Sequence, residues 1–193
     1  MTPRSGSTVA ERYRLGAPIA EGPCSALFAA TDQHHQAPVV LKFLMPAARD
    51  RQAVRQRFEA EGAQLARRRH PSMTRVLQVG LSRDIPWLAL ELLEGESLSE
   101  RMARASVESR AARWLTRELL QALDGIHASG LFHHRLRPSK LFIERRGAQP
   151  PRLRLLEFAV SGGMREGLHP AGLHAPMDQP WYLAPEQLRL RRD

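Results

Sequence analysis

Two lysines stand apart in a chain whose other cations are all arginine. Of 29 basic residues only Lys42 and Lys140 are lysine. Lys42 lies in the β-branched run Val39-Val40-Leu41-Lys42. Lys140 closes His133-His134-Arg135-Leu136-Arg137-Pro138-Ser139-Lys140. Arg135 and Arg137 are permanent cations that accept no proton near neutral pH, so this stretch offers charge but no arginine that could act as a base. A carboxylate able to take a metal stands at Glu157, in Leu156-Glu157-Phe158-Ala159. His169 and His174 are five apart, but no third ligand is in view, and they read as solvated loop histidines. Cys24 is the single cysteine, with no cation beside it in sequence. It reads as an inert thiol, excludes an internal disulfide and fits a reducing compartment.

The elements that must position these residues alternate in character along the chain. Tyr13-Arg14-Leu15, Ala26 to Ala30 and Val39 to Leu44 read as strands, separated by turns at Glu21-Gly22-Pro23 and Asp32 to Gln36. Residues 53–69 read as a helix, with Val54, Phe58, Glu61 or Gly62, and Leu65 at helical spacing and Pro71 as its stop. Two more strands, 75–79 and 87–92, flank a turn at Ser82-Arg83-Asp84. Glu94-Gly95-Glu96 breaks the pattern and is expected to be an interdomain hinge. From Leu98 the chain turns helical. Its strongest helix is 111–129, with Leu115, Leu119, Ala122, Leu123 and Ile126 on one face and Gly130 as its stop. Short strands are expected at 141–143 and 153–156, then a Gly-, Pro- and His-rich loop over 162–180, and a helix from Glu186. Strands first and helices second imply a two-lobed α+β chain.

The composition is that of a globular protein, 42% hydrophobic and 25% charged over 193 residues. No window approaches the roughly 18 apolar residues of a membrane helix. The N-terminus has no apolar signal region. The expected location is therefore cytoplasmic. The net charge of +9 includes clusters at Arg67-Arg68-Arg69 and Arg189/Arg191/Arg192. Such clusters suit nucleic acid or an anionic membrane. No aromatic residues interleave them as stacking platforms, and an arginine-biased solvated surface is the plainer reading. Neither nucleic acid nor membrane is an expected partner.

The motifs in this order resemble a bacterial Ser/Thr protein kinase, over about residues 13–188. Val39-Val40-Leu41-Lys42 is similar to V-A-I-K. Glu61, nineteen positions after Lys42, falls where the family's ion-pair Glu lies. His70-Pro71, the hinge 91–95 and Ala184-Pro185-Glu186 also fit. The resemblance implies a protein-kinase-like two-lobed fold of the α+β class: a flexible leader 1–11, a β-rich N-lobe 12–94, and an incomplete helical C-lobe 95–193 that stops after the A-P-E motif. It also implies an apolar stack of Leu65, Val76, His133 and Phe158, and a Lys42–Glu61 pair that pins the first helix inward.

The departures fall on the chemistry. Residues 133–140 resemble H-R-D-L-K-P-x-N. The family's base Asp falls on Arg135, its phosphate-contacting Lys on Arg137 and its metal-binding Asn on Lys140. The D-F-G acid falls on Glu157. Magnesium takes oxygen ligands, so an ammonium in the metal's place repels it. An ion pair between Lys140 and Glu157 is the expected substitute. The glycine-rich loop becomes 20–27, keeping only Gly22 of the three glycines, and Pro23 removes an amide donor. Val40 and Phe142 add bulk above and below the adenine slot, which Leu90 also lines. Lys42, Glu61, Gly22, Val40, Leu90 and Phe142 thus form a vestigial nucleotide pocket. The activation segment keeps only Ser161 and Tyr182 as hydroxyls, and the arginine that reads a loop phosphate is His134.

These substitutions imply a catalytically inactive kinase-like domain, a pseudokinase, acting as a protein-binding or regulatory module. No cofactor is expected. The partner would be another protein, either an active kinase or a second copy covering the incomplete C-lobe. The alternative is an atypical, weakly active Ser/Thr kinase using ATP and magnesium on Glu157. A basic module for nucleic acid or anionic membrane is a third reading.

Overall fold

The structure is a computed structural model that describes residues 3–21, 25–45, 52–133 and 136–157, with Tyr182 and Pro185. Its contacts divide these into two units. The first takes 3–67, 75–92 and the two isolated positions; the second takes 68–74 and 93–157.

The first unit is built on a six-stranded antiparallel sheet. Its strands are β1 (Thr8–Val9), β2 (Tyr13–Glu21), β3 (Ser25–Asp32), β4 (Ala37–Leu44), β5 (Val76–Ser82) and β6 (Ile85–Glu91). The order across the sheet is β1-β2-β3-β4-β6-β5. On β3 the period-two pattern buries Ala26, Phe28, Ala30 and Asp32 on one face. The central strand β4 buries Val39, Val40, Leu41, Phe43 and Leu44, filling both faces. Phe28 meets Phe43 edge-on at 5.9 Å, and Tyr13 meets Trp87 likewise at 5.5 Å. Gly80 on β5 leaves the room that the Trp87 ring fills, since a Cβ there would overlap the indole. The β5–β6 hairpin turns on Arg83 and Asp84, both at positive φ (48° and 62°), the mirror-image turn that suits the strand twist.

Helix α1 (Gln52–Ala66) packs on β5 and β6. Gly62 lets it lie against Leu88, whose methyl would collide with any Cβ at that position. A cluster closes the other end of the sheet. Asp32 is buried and receives Arg12 through two nitrogens, at 2.9 and 2.7 Å, and His35 Nδ1 lies 2.9 Å from its Oδ2. Arg12 and the Tyr13 hydroxyl both donate to Gln78, at 3.0 and 2.7 Å. These bonds hold the Asp32 carboxyl well below the usual carboxylate range, the Arg12 guanidinium being the largest cause.

The second unit holds a three-stranded antiparallel sheet of β7 (Gly95–Ser97), β8 (Leu141–Arg146) and β9 (Gln149–Leu155), with helices α2 (Leu98–Arg104) and α3 (Ser109–Ala128). Ser97 caps α2 in a reciprocal box: Glu100 N–H donates to Ser97 Oγ at 3.2 Å, and Ser97 N–H donates to the Glu100 carboxylate at 2.7 Å. Helix α3 turns Leu115, Ala122 and Ile126 inward and packs on β9. Gly130, at φ 75°, ends it as the sequence predicts, donating to the His127 carbonyl at 2.8 Å.

Two sequence expectations change, and one gains a second role. Thr8–Val9, inside the stretch 1–11 read as a loose leader, is a strand paired with Tyr13 and Arg14. One side chain, Val9, is buried there, and a single apolar residue is too short a pattern to read as a strand. The division between the two units falls at Leu92/Leu93, inside the expected hinge 91–95, while Gly95 and Glu96 lie within β7. Gly95 sits at φ 149° with the Ile143 carbonyl against its α-carbon, so this glycine also admits a close strand approach. Residues 68–74, placed by sequence in the lobe 12–94, group with the second unit. Their backbone is tied to β9: Leu155 N–H donates to Ser72 O at 2.7 Å, and Thr74 N–H donates to Leu155 O at 3.2 Å. The loop 162–180 and the helix from Glu186 lie outside the described residues.

Candidate functional site

In the first unit, the sheet register places the residues that the sequence singles out. Val40 on β4 pairs with Leu90 on β6, and Lys42 pairs with Leu88. Alternation puts Val40, Lys42, Leu88 and Leu90 on one face, the face on which Gly62 of α1 meets Leu88. Val40 is buried and Lys42 half-buried. Glu61 is half-buried on α1 and accepts a bond from Arg57 Nε, one turn earlier, at 2.7 Å. The i,i+4 spacing of Arg57 and Glu61 is the sequence signal for this pair. Gly22 lies outside the described residues.

In the second unit, the candidate residues gather around Leu156. His133 is buried, and its Nε2 lies 2.9 Å from the Leu156 carbonyl oxygen. Burial pushes the His133 imidazole below its ordinary value, so the neutral ring donates this bond. Leu156 N–H donates to Lys140 O at 2.9 Å, and Lys140 N–H donates to Arg137 O at 2.8 Å. These last bonds turn the chain through a single 3-10 turn, Pro138–Lys140, in which Pro138 stands at the start where its missing N–H costs nothing. The turn aims the Lys140 side chain at the residue after Leu156. Its Nζ forms an ion pair with Glu157 Oε2. The side chains are 15% and 34% exposed, so the pair stays partly open to water. The ion pair expected from the resemblance is therefore present.

Two features of this cluster were not legible beforehand. Glu157 sits at φ 58°, in the left-handed region that a non-glycine residue enters only at a cost. Arg154, one strand position from Leu155, is buried with its guanidinium on Met73 O at 2.7 Å and on Glu144 at 3.1 Å. It anchors β9 to the segment 68–74. Phe142 is half-buried on β8, opposite Arg154. Arg137 is half-buried. Arg135, His134 and Phe158 lie outside the described residues, so the base position and one member of the expected apolar stack are not placed.

Chemically, the arrangement in the second unit is a carboxylate neutralised by an ammonium on a loop fixed by backbone bonds. Among the described residues no group of three or more His, Cys, Asp or Glu side chains could hold a metal ion.

A strand-rich unit with one packed helix, followed by a unit of helices and a small sheet carrying a His-to-Lys loop, is the architecture of a protein kinase. Residues 13–193 match the protein kinase domain family, and the chain belongs to it. It is 30% identical to CBL-interacting protein kinase 19 of Oryza sativa subsp. japonica over 190 residues, covering 98% of this chain and 36% of that protein. It is 30% identical to the serine/threonine-protein kinase pkn3 of Myxococcus xanthus over 192 residues, covering 95% of this chain and 35% of that protein. The chain thus spans about a third of the length of these relatives. The kinase domain of Mycobacterium tuberculosis PknI superposes with a TM-score of 0.70 at 22% identity, over 83% of this chain and 63% of that one. That likeness shows the fold. Among the described residues no helix is long and apolar enough to cross a membrane.

Proposed function

We propose that this chain is a kinase-like domain that does not transfer phosphate and acts by binding another protein, as a regulatory module. The ion pair between Lys140 and Glu157 carries the reading. Phosphoryl transfer depends on metal ions that neutralise the phosphates and on a carboxylate that orients the nucleophile. Here the carboxylate at the metal position holds an ammonium from the same chain. A magnesium ion would have to displace that tethered cation and then sit beside it, against its charge. The residues present do not fit the metal. Arg135 and Arg137 add fixed positive charge in the same stretch of sequence and supply no base. What the chain keeps is shape: the sheet, the α1 contact with Leu88 and the His133–Leu156 bond all survive without the chemistry. A rigid surface of that shape suits recognition by a second copy or by an active kinase.

The test is thermal unfolding of the whole chain with ATP, with magnesium, and with both, alongside transfer of labelled phosphate to a generic protein substrate. A ligand that binds the native state must raise the Tm. The expected result is no magnesium-dependent rise and no transfer. A rise seen only with ATP and magnesium together, or any transfer abolished by Glu157→Gln, would return the chain to the atypical kinases.

A further inference from the structure

We infer that the tip of the β8–β9 hairpin is a docking surface for an acidic segment of another protein, with Arg146 and Arg152 taking carboxylates carried two residues apart on an extended chain. The inference deepens the proposed function and rests on it in one respect, that the chain acts by binding a protein.

The register of the hairpin sets its arginines. Glu144 on β8 pairs with Arg152 on β9, and Arg146 pairs with Gln149 across the turn. Cross-strand partners share a face, so Arg146, Arg152 and Arg154 lie on one face with Glu144 among them. Glu144 is the single acid between residues 141 and 155, and both its oxygens are turned to the Arg154 guanidinium, at 3.1 and 3.3 Å. Among the described residues, Arg145, Arg146 and Arg152 enter no ion pair. Arg145 and Arg146 are exposed and Arg152 is half-buried. The frame beneath them is fixed. Gly147 makes the turn at φ 61°, and Arg145 N–H donates to the Glu94 carbonyl at 2.7 Å. Arg146 and Arg152 are diagonal neighbours across the two strands, about 7–8 Å apart. Alternate residues of an extended chain stand about 7 Å apart, and a guanidinium takes a carboxylate through two parallel N–H bonds.

The rest of the tip narrows the partner. β9 is an edge strand of its sheet, and Pro150 and Pro151 take two N–H donors out of it. A ladder of backbone bonds is broken there, so side chains must carry the recognition. A nucleic-acid surface draws on many phosphate contacts and on aromatic rings that stack bases. The tip offers three guanidiniums, and residues 144–152 contain no aromatic side chain. A second copy of this chain, with a net charge of +9, has the wrong sign.

The test is fluorescence anisotropy of a labelled octapeptide of alternating Glu and Ser, titrated with the whole chain at low salt, where exposed charges are least screened. The native chain is expected to bind it, and to bind the same peptide with Gln in place of Glu at least about tenfold more weakly. Arg146→Gln combined with Arg152→Gln should weaken binding about fivefold, as the loss of two exposed ion pairs allows. Arg110→Gln combined with Arg113→Gln removes the same charge from exposed positions on α3 and should change it less than about twofold. Absence of binding by the native chain, weakening of less than about threefold by the hairpin double substitution, or equal weakening by the two doubles overturns the surface. An equal loss of affinity for duplex DNA, or for phosphatidylserine vesicles, overturns the acidic-protein assignment. If the hairpin double does not fold by circular dichroism, Arg146→Glu at its exposed position decides by the same threshold. Loss of the surface in this test leaves the lack of phosphate transfer untouched, because no nucleotide takes part. Transfer by the native chain would overturn the proposed function without changing the peptide affinities.

Discussion

Gly125→Ala in the last turn of α3 sets two well-known effects against each other. Alanine is favoured over glycine inside a helix by about 1 kcal/mol, so an unobstructed site would be stabilised. The structure obstructs it. A Cβ on residue 125 would stand 2.6 Å from His70 Nε2, with the Cδ2 and Cε1 atoms of the same ring at 3.5 Å. The ring must retreat by several tenths of an ångström, but its far side is tethered, since Ser72 N–H donates to His70 Nδ1 at 3.2 Å. Burial also pushes His70 below its ordinary value, so the ring is neutral with Nδ1 free to accept. Forcing an atom into a filled site costs about 1–3 kcal/mol, and breaking the tether costs about 1 kcal/mol. Set against the helix gain, the net effect is a destabilisation of about 1–3 kcal/mol. Urea unfolding would show it as a lower midpoint with an unchanged slope. In a His70→Ala background the obstacle is gone, and the same glycine substitution should raise the midpoint instead. A midpoint that rises equally in both backgrounds would refute the steric argument.

Two further outcomes follow from bonds described above. Asp32 has a folded pKa depressed below its unfolded value of about 3.9, chiefly by Arg12. Its contribution to stability is complete above that value and is lost as pH falls through and below it. The difference in urea midpoint between the native chain and Asp32→Asn should therefore be constant from pH 7 to about 5 and shrink toward pH 3; a pH-independent difference would disprove the assignment. Ser97→Ala removes the side-chain cap of α2 and should cost about 1 kcal/mol in the same assay, whereas Ser99→Ala, one residue into the helix and not the cap acceptor, should cost clearly less.

The sequence was most legible where one residue type has few roles. The β-branched run ending at Lys42, the Arg83-Asp84 turn and the glycine stop at residue 130 all declared themselves. The pairing of Lys140 with Glu157 followed from opposite charges placed on motif positions known to converge. What stayed hidden depends on contacts far apart in sequence. The buried Arg154 looks like one more surface arginine in β9 until Met73 O, 81 residues earlier, is seen to accept its bond. The close strand approach at Gly95 was hidden because a glycine that admits a neighbouring strand and a glycine that bends a chain are identical in a string of letters. The positive φ of Glu157 has no sequence signal, since glutamate has no preference for that region.

The attachment of residues 68–74 to β9 bears on the order in which this chain can be completed during synthesis. A ribosome delivers Ser72, Met73 and Thr74 long before Arg154 and Leu155. Until β9 emerges, three backbone partners of the later strand wait without it, and the loop that must close spans about eighty residues. Loop closure of that length is costly but grows only slowly with length, so the penalty falls on speed more than on final stability. The helices and β8 can form locally, while the last strand acts as the clasp. A fragment begun at residue 95 would contain every helix of the second unit and still lack the backbone that Leu155 and the Arg154 guanidinium require. The smallest piece able to fold as this unit therefore begins upstream, at residue 68, and must carry β5 and β6 of the first unit along in the intervening chain.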